Sequence, residues 1–189
     1  RIRSMTKPIV GVAMMQLYEK GLWQMDDPVS KHVPELAGLK VLSWKDGKPE
    51  MKGGKPVLVA ASAEPTMKQL MSHTAGFGYG LSAASAVDRE FQRDNPHAQP
   101  NLPAAMKRLA QIPLLFQPGE RWSYSYTVDV QAAALEKITG KTLGNYLYEN
   151  VFTPLGMSDT SFFVSEENYK NRVATVYTRN ATTGVKDVF

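Results

Sequence analysis

"RIRSMTKPIVGVAMMQLYEKGLW", residues 1–23, sets a serine, Ser4, three positions ahead of a lysine, Lys7, at the head of the most apolar run in the chain. The pattern predicts a helix from about Met5 to Lys20, with Pro8 in the first turn, where a missing amide hydrogen is tolerated, and Gly21 as its terminator. Ile9, Val10, Val12, Met14, Met15 and Leu17 surround that helix on nearly every side, so it should be buried on most faces beneath a covering element. Positions three apart on a helix lie one above the other, so the Ser4 hydroxyl and the Lys7 amine can meet. A serine is a weak nucleophile until a base takes its proton, and a lysine is that base only when burial or nearby charge lowers its pKa. Ser4 would also sit at the positive end of the helix dipole, where its amide could help hold a developing oxyanion. Ser4 is therefore read as a nucleophile and Lys7 as its partner in proton transfer. By chance alone a Ser-x-x-Lys arises about once in a chain of this length, and the bland reading is a capping serine beside a solvated lysine. Placement favours the chemical reading: this is the chain's only such pair, and it starts the most apolar helix.

The rest of the chain reads as one globular α+β unit, mainly helical. "DDPVSKHVPEL" (residues 26–36) predicts a turn and a short helical stretch, capped by Asp26 or Asp27 with Pro28 first in the helix. Residues 41–62 carry a Lys-Asp-Gly turn, the pair Gly53-Gly54 and the strand-like run Val57 to Ala61, a hairpin or extended arm. A short helix from about Pro65 ends in the glycine-rich loop Gly76 to Gly80. Residues 85–93 and 103–111 are amphipathic, with the polar loop 94–101 between them. Helices follow at about Thr127 to Ile138, stopped by Gly140, and Leu143 to Phe152, stopped before Pro154; the tail from Arg172 is strand-like around a Thr-Thr-Gly turn.

Composition removes several functions. The 22 basic and 18 acidic residues give a net charge of +4, with no like-charge block and no interleaved basic and aromatic patch, which argues against nucleic acid. No cysteine is present, so disulfides and thiolate metal sites are excluded, while cytoplasmic and periplasmic or secreted addresses both stay open. The longest apolar stretch is too short to span a bilayer. His32, His73 and His97 form no metal-ligand spacing, and neither a Gly-x-Ser-x-Gly elbow nor a phosphate loop occurs. No metal or other cofactor is expected.

"SMTKP", "GLWQMDDPVSKHVPEL", "LMSHTAGFGYG", "PGERWSYSYTVDV" and "VFTPLGMSDTSF" follow one another along nearly the whole chain. In this order and spacing they resemble the serine β-lactamase and penicillin-binding-protein superfamily, most nearly class C β-lactamase-like proteins and family VIII carboxylesterases. The resemblance implies an acyl-enzyme nucleophile at Ser4, proton transfer by Lys7, and a catalytic tyrosine at Tyr124 of the Tyr124-Ser125-Tyr126 stretch. A phenol beside a lysine ammonium is pushed toward phenolate and can serve as base in acylation and acid toward the leaving group. Tyr126 stands where a β-lactamase keeps an asparagine that touches substrate, which favours an ester-cleaving relative; Tyr126 and the loop 94–101 are expected to line the cleft. His73 in "HTAG" is read as structural and Asp129 as an anchor of its helix.

The family's third element, a Lys-Thr-Gly, His-x-Gly or Trp-x-Gly on a strand, is absent; Lys141-Thr142 is followed by Leu143 and falls too early. Residues 1–189 are accordingly expected to be a single partial domain of a β-lactamase/DD-peptidase-like fold, truncated at both ends and without most of its antiparallel sheet. The expected activity is hydrolysis of a small-molecule ester or amide, first of all a short acyl ester. D-Ala-D-Ala carboxypeptidase, amide hydrolase and class C-like β-lactamase are the rivals within the mechanism, and a non-catalytic binding relative is the rival outside it. The isolated segment is expected to be inactive or nearly so.

Overall fold

The computed structural model describes residues 1–81, 85–184 and 186–188. Helix α1 spans Thr6–Glu19, and Gly21, at φ 71°, turns the chain back. The return is fixed by Trp23, 1% exposed, whose indole N–H donates to the Met14 carbonyl at 2.8 Å. Val10, Ala13, Met14 and Leu17 of α1 are buried, but Met5, Val12 and Met15 are exposed. One face of the helix is covered rather than nearly all of it.

The covering element is α6 (Thr127–Thr139), the central helix, against which α1, α2 (Val29–His32), α3 (Met67–Met71) and α5 (Leu102–Leu109) all pack. Its run Ala132 to Ala134 carries small side chains, which lets neighbouring backbones approach closely and keeps interior packing dense. Gly140 ends α6 in the left-handed conformation that a side chain would resist, at φ 68°. Next, α7 (Leu143–Leu147) runs into a π-helical turn, Tyr148–Phe152, instead of one continuous helix. Gln16 of α1 donates to the Asn150 carbonyl at 3.0 Å and ties that turn to α1.

Capping follows the sequence in most places. The short helix expected from Pro65 begins at Met67, with Thr66 and Gln69 forming a reciprocal capping box. Ser85 caps α4 (Ala86–Arg93), and Asn101 caps α5. The expected aspartate cap of α2 is corrected: Pro28 occupies the cap position. The Asp27 carboxylate instead accepts from the Gln24 amide, Lys31 and His32.

The arm is built from β1 (Lys40–Leu42) paired antiparallel with β6 (Leu58–Ala60), then β2 (Trp44–Lys45) with β3 (Lys48–Pro49) and β4 (Met51–Lys52) with β5 (Lys55–Pro56). Its base is anchored by Leu42 N–H to the Leu114 carbonyl and by the Trp44 indole to the Leu115 carbonyl. Past α8 (Glu166–Asn171), the tail pairs β7 (Tyr177–Arg179) with β8 (Lys186–Val188); Val185 and Phe189 of that expected strand region lie outside the described residues. Among the described residues no helix is long and apolar enough to cross a membrane.

Candidate active site

Ser4 lies in a single 3-10 turn, Arg3–Met5, that feeds α1, and its side chain is exposed. Arg3 enters that turn at φ 45°, a conformation uncommon outside glycine that recurs at functional sites. Half-buried Lys7, in the first turn of α1, donates from Nζ to Ser4 Oγ at 3.4 Å. Tyr124 comes from the loop before α6 and brings its Oη to 2.7 Å from Ser4 Oγ. The three expected catalytic side chains thus converge, although Tyr124 is 120 positions from Ser4.

The Lys7 ammonium lies 4.6 Å from the centroid of the Tyr124 ring and 5.6 Å from that of Tyr79, a cation held between two π faces. Hydrogen bonding with Lys7 and with the Ser4 hydroxyl holds the Tyr124 phenol below its usual value, against the opposing pull of burial. Tyr79 behaves oppositely: burial pushes its phenol up. The two neighbouring phenols are therefore separated in acidity, Tyr124 being the more acidic of the two.

The loop carrying Tyr124 is placed by pairing with residues 73–78. Ser123 N–H donates to the His73 carbonyl, Gly119 N–H to Thr74, Leu115 N–H to Gly76 and Tyr126 N–H to Gly78, at 2.7–3.0 Å. Gly76 is required there: its φ is 88°, and a side chain would collide with the Phe116 carbonyl. Gly78 is pressed against Val87 and Phe91. These glycines bring Tyr79 edge-on to Tyr124, with ring centroids 5.3 Å apart. His73 stacks on Tyr124, with ring centroids 5.3 Å apart and planes inclined by 15°.

Tyr126 departs from the expected substrate contact. It is 1% exposed, its ring 4.5 Å from His97 and 5.9 Å from Phe91, and burial pushes its phenol up. It packs inside the core rather than facing the open side of the site. His97, from the loop 94–101, reaches the site's edge through Tyr79, at 5.4 Å between centroids. Asp129, in the first turn of α6, lies 4.0 Å from His97, and burial raises its carboxyl pKa. Sequence reasoning did not single out Tyr79; the signal was the alternation of glycines in Gly76 to Gly80, which marks close backbone approach.

A helical domain whose most apolar helix opens on a serine, with a lysine one turn on and a loop tyrosine on the serine oxygen, defines a protein of the β-lactamase and penicillin-binding-protein fold. The chain belongs to the Beta-lactamase family, whose family model matches residues 1–188. It is 35% identical over 169 residues to Esterase EstB of Burkholderia gladioli, covering 88% of this chain and 39% of that protein. It is 31% identical over 174 residues to Lovastatin esterase of Penicillium rubens, covering 91% of this chain and 42% of the relative. Unliganded Simvastatin Synthase (LovD) from Aspergillus terreus superposes with a TM-score of 0.75 at 28% identity, over 97% of this chain and 45% of that one. The chain therefore spans less than half the length of these relatives.

Proposed function

We propose that the protein carrying this chain is a serine hydrolase that works through an acyl-enzyme, a carboxylesterase of short acyl esters. The observation that carries the reading is the 2.7 Å contact between Ser4 Oγ and Tyr124 Oη with the Lys7 ammonium beside both. In acylation the Ser4 proton passes to the Tyr124 phenolate as Oγ bonds to the ester carbonyl carbon. Collapse breaks the carbon–oxygen bond to the leaving alcohol, which takes the proton from Tyr124. In deacylation water gives a proton to Tyr124 and its oxygen to the acyl carbon, and Ser4 Oγ leaves and recovers the proton. Lys7, whose amine donates to Ser4 Oγ, favours the Tyr124 phenolate and is the partner of Ser4 in proton transfer.

The named activities of Esterase EstB and Lovastatin esterase support an ester over a β-lactam. So does buried Tyr126, which leaves no asparagine amide where the resemblance would put one. The isolated residues 1–189 are proposed to be nearly inactive, because Val12 and Met15 leave α1 open along a shallow groove of about 480 Å³. The test is a rate comparison on the complete protein with p-nitrophenyl esters of increasing acyl length, a chromogenic cephalosporin and a D-Ala-D-Ala peptide. Short esters should give the highest kcat/KM; a higher value for the cephalosporin or the peptide overturns the ester reading.

A further inference from the structure

His73 touches nearly every residue of the segment that carries Tyr124. Its carbonyl accepts from Ser123 N–H at 2.9 Å, and its Nδ1 accepts from Ser125 N–H at 3.2 Å. Thr127 Oγ1 lies 2.9 Å and Ser125 Oγ 3.2 Å from the same nitrogen. The imidazole face stacks on Tyr124, and the Trp122 ring meets it edge-on at 6.2 Å. Ser125 and Thr127 are 1% and 0% exposed, so these hydroxyls need a protein partner.

The hydrogen positions follow from chemistry. A backbone N–H can only donate, so Nδ1 carries a lone pair, the hydrogen is on Nε2, and the ring is neutral. Burial and the nearby Lys7 charge both push the His73 pKa down, in keeping with that tautomer. The backbone is also unusual, since His73 sits at φ 58°, a conformation that only a few residue types tolerate and that places ring and carbonyl on the same strip of loop.

The geometry points to His73 as the positioning residue for Tyr124: a neutral imidazole that grips residues 123, 125 and 127 and offers its face to the phenol between them, fixing Oη against Ser4. The inference rests on the Ser4, Lys7 and Tyr124 reading above and adds a residue that touches neither substrate nor the reacting atoms. It separates clamping from mere packing, because an acceptor at the Nδ1 position, not the ring's volume, is what holds the loop. Asparagine places Oδ1 near the Nδ1 position and tolerates positive φ; leucine fills volume and accepts nothing.

The test uses the complete protein as wild type, His73→Asn, His73→Leu and Thr127→Val, with Tyr124→Phe to assign the Tyr124 signal. Tyrosine labelled with carbon-13 at Cζ reports the Tyr124 titration by NMR, and a fluorophosphonate reports the rate of Ser4 modification. His73→Leu should return the Tyr124 titration toward that of free tyrosine and slow Ser4 labelling about tenfold or more. His73→Asn should restore both toward wild type. Thr127→Val, nearly isosteric, should shift both in the direction of His73→Leu but less, and it carries the test if His73→Leu fails to fold. A folded His73→Leu, or Thr127→Val in its place, with the Tyr124 titration and Ser4 labelling of wild type overturns the inference, as does a His73→Asn variant no better than His73→Leu. Absence of Ser4 labelling in the wild type would count against the hydrolase reading instead, and the NMR titration would still judge the clamp.

Discussion

Replacing Tyr124 with phenylalanine removes one atom and isolates one function. The contacts that place the ring survive: the stack on His73, the edge contact with Tyr79 and the face beneath Lys7. What is lost is the oxygen 2.7 Å from Ser4 Oγ. As a half-exposed hydrogen bond that oxygen is worth about 0.5–1.5 kcal/mol of stability, and the apolar edge of phenylalanine offsets part of it. As a positioned acid and base it is worth about 10²–10⁴ in rate. At about 1.36 kcal/mol per tenfold, that is about 3–5 kcal/mol of transition-state stabilisation. kcat/KM on a p-nitrophenyl butyrate should therefore fall by at least about a hundredfold while the melting temperature barely moves. The pH profile adds a sign. The folded phenol is held below its usual value, so the reactive phenolate fills at lower pH than in free tyrosine, and the rate should rise with pH through that lowered pKa. Tyr124→Phe should lose that limb. A loss of less than about threefold in kcat/KM, with the limb intact, would refute the proton-transfer role.

Two further perturbations examine the scaffold. Gly76→Ala forces a side chain onto the Phe116 carbonyl at φ 88° and should cost about 3 kcal/mol or more in chemical denaturation, with Ser4 reactivity lost alongside because the segments holding Tyr124 separate. Asp27 is nearly buried, which alone would raise its pKa, but hydrogen bonds from Lys31, His32 and the Gln24 amide bring it from 3.8 down to about 2. A carboxyl depressed on folding stabilises the fold above its unfolded pKa and loses that contribution as pH falls through the folded value. Asp27→Asn should thus cost about 1 kcal/mol at neutral pH, after allowance for solvent screening, and the difference from wild type should vanish between pH 4 and 2. Equal stability of the two proteins at neutral pH would contradict that accounting.

The local parts of this structure were legible and the distant ones were not. Helices α1 and α6 are bounded by Gly21 and Gly140, whose positive φ values are a local demand that sequence records directly. The meeting of Ser4 with Lys7 follows from helical spacing alone. Tyr124 carries no local mark of its role; only the resemblance of a whole motif series pointed to it, because its partner is 120 positions away. Tyr79 was hidden for the same reason, and of His73 only a structural part was legible, since their place depends on pairing of residues 73–78 with 115–126. Tyr126 read as a site residue by position in its motif, yet it stands at the cap of α6, where the chain turns into the helix, and packs against Phe91 and His97. The aspartate cap failed through competition: Lys31, His32 and the Gln24 amide already satisfy the Asp27 oxygens. On α1 the apolar pattern read as cover on nearly every face, whereas Met5, Val12 and Met15 are exposed.

The most direct test of the central claim is intact-mass spectrometry of the complete protein after incubation with a fluorophosphonate, with Ser4→Ala alongside. A single adduct is expected, mapped to Ser4 and absent from the alanine variant. A folded protein that forms no adduct, or an adduct that persists in Ser4→Ala, would contradict the assignment of Ser4 as the nucleophile.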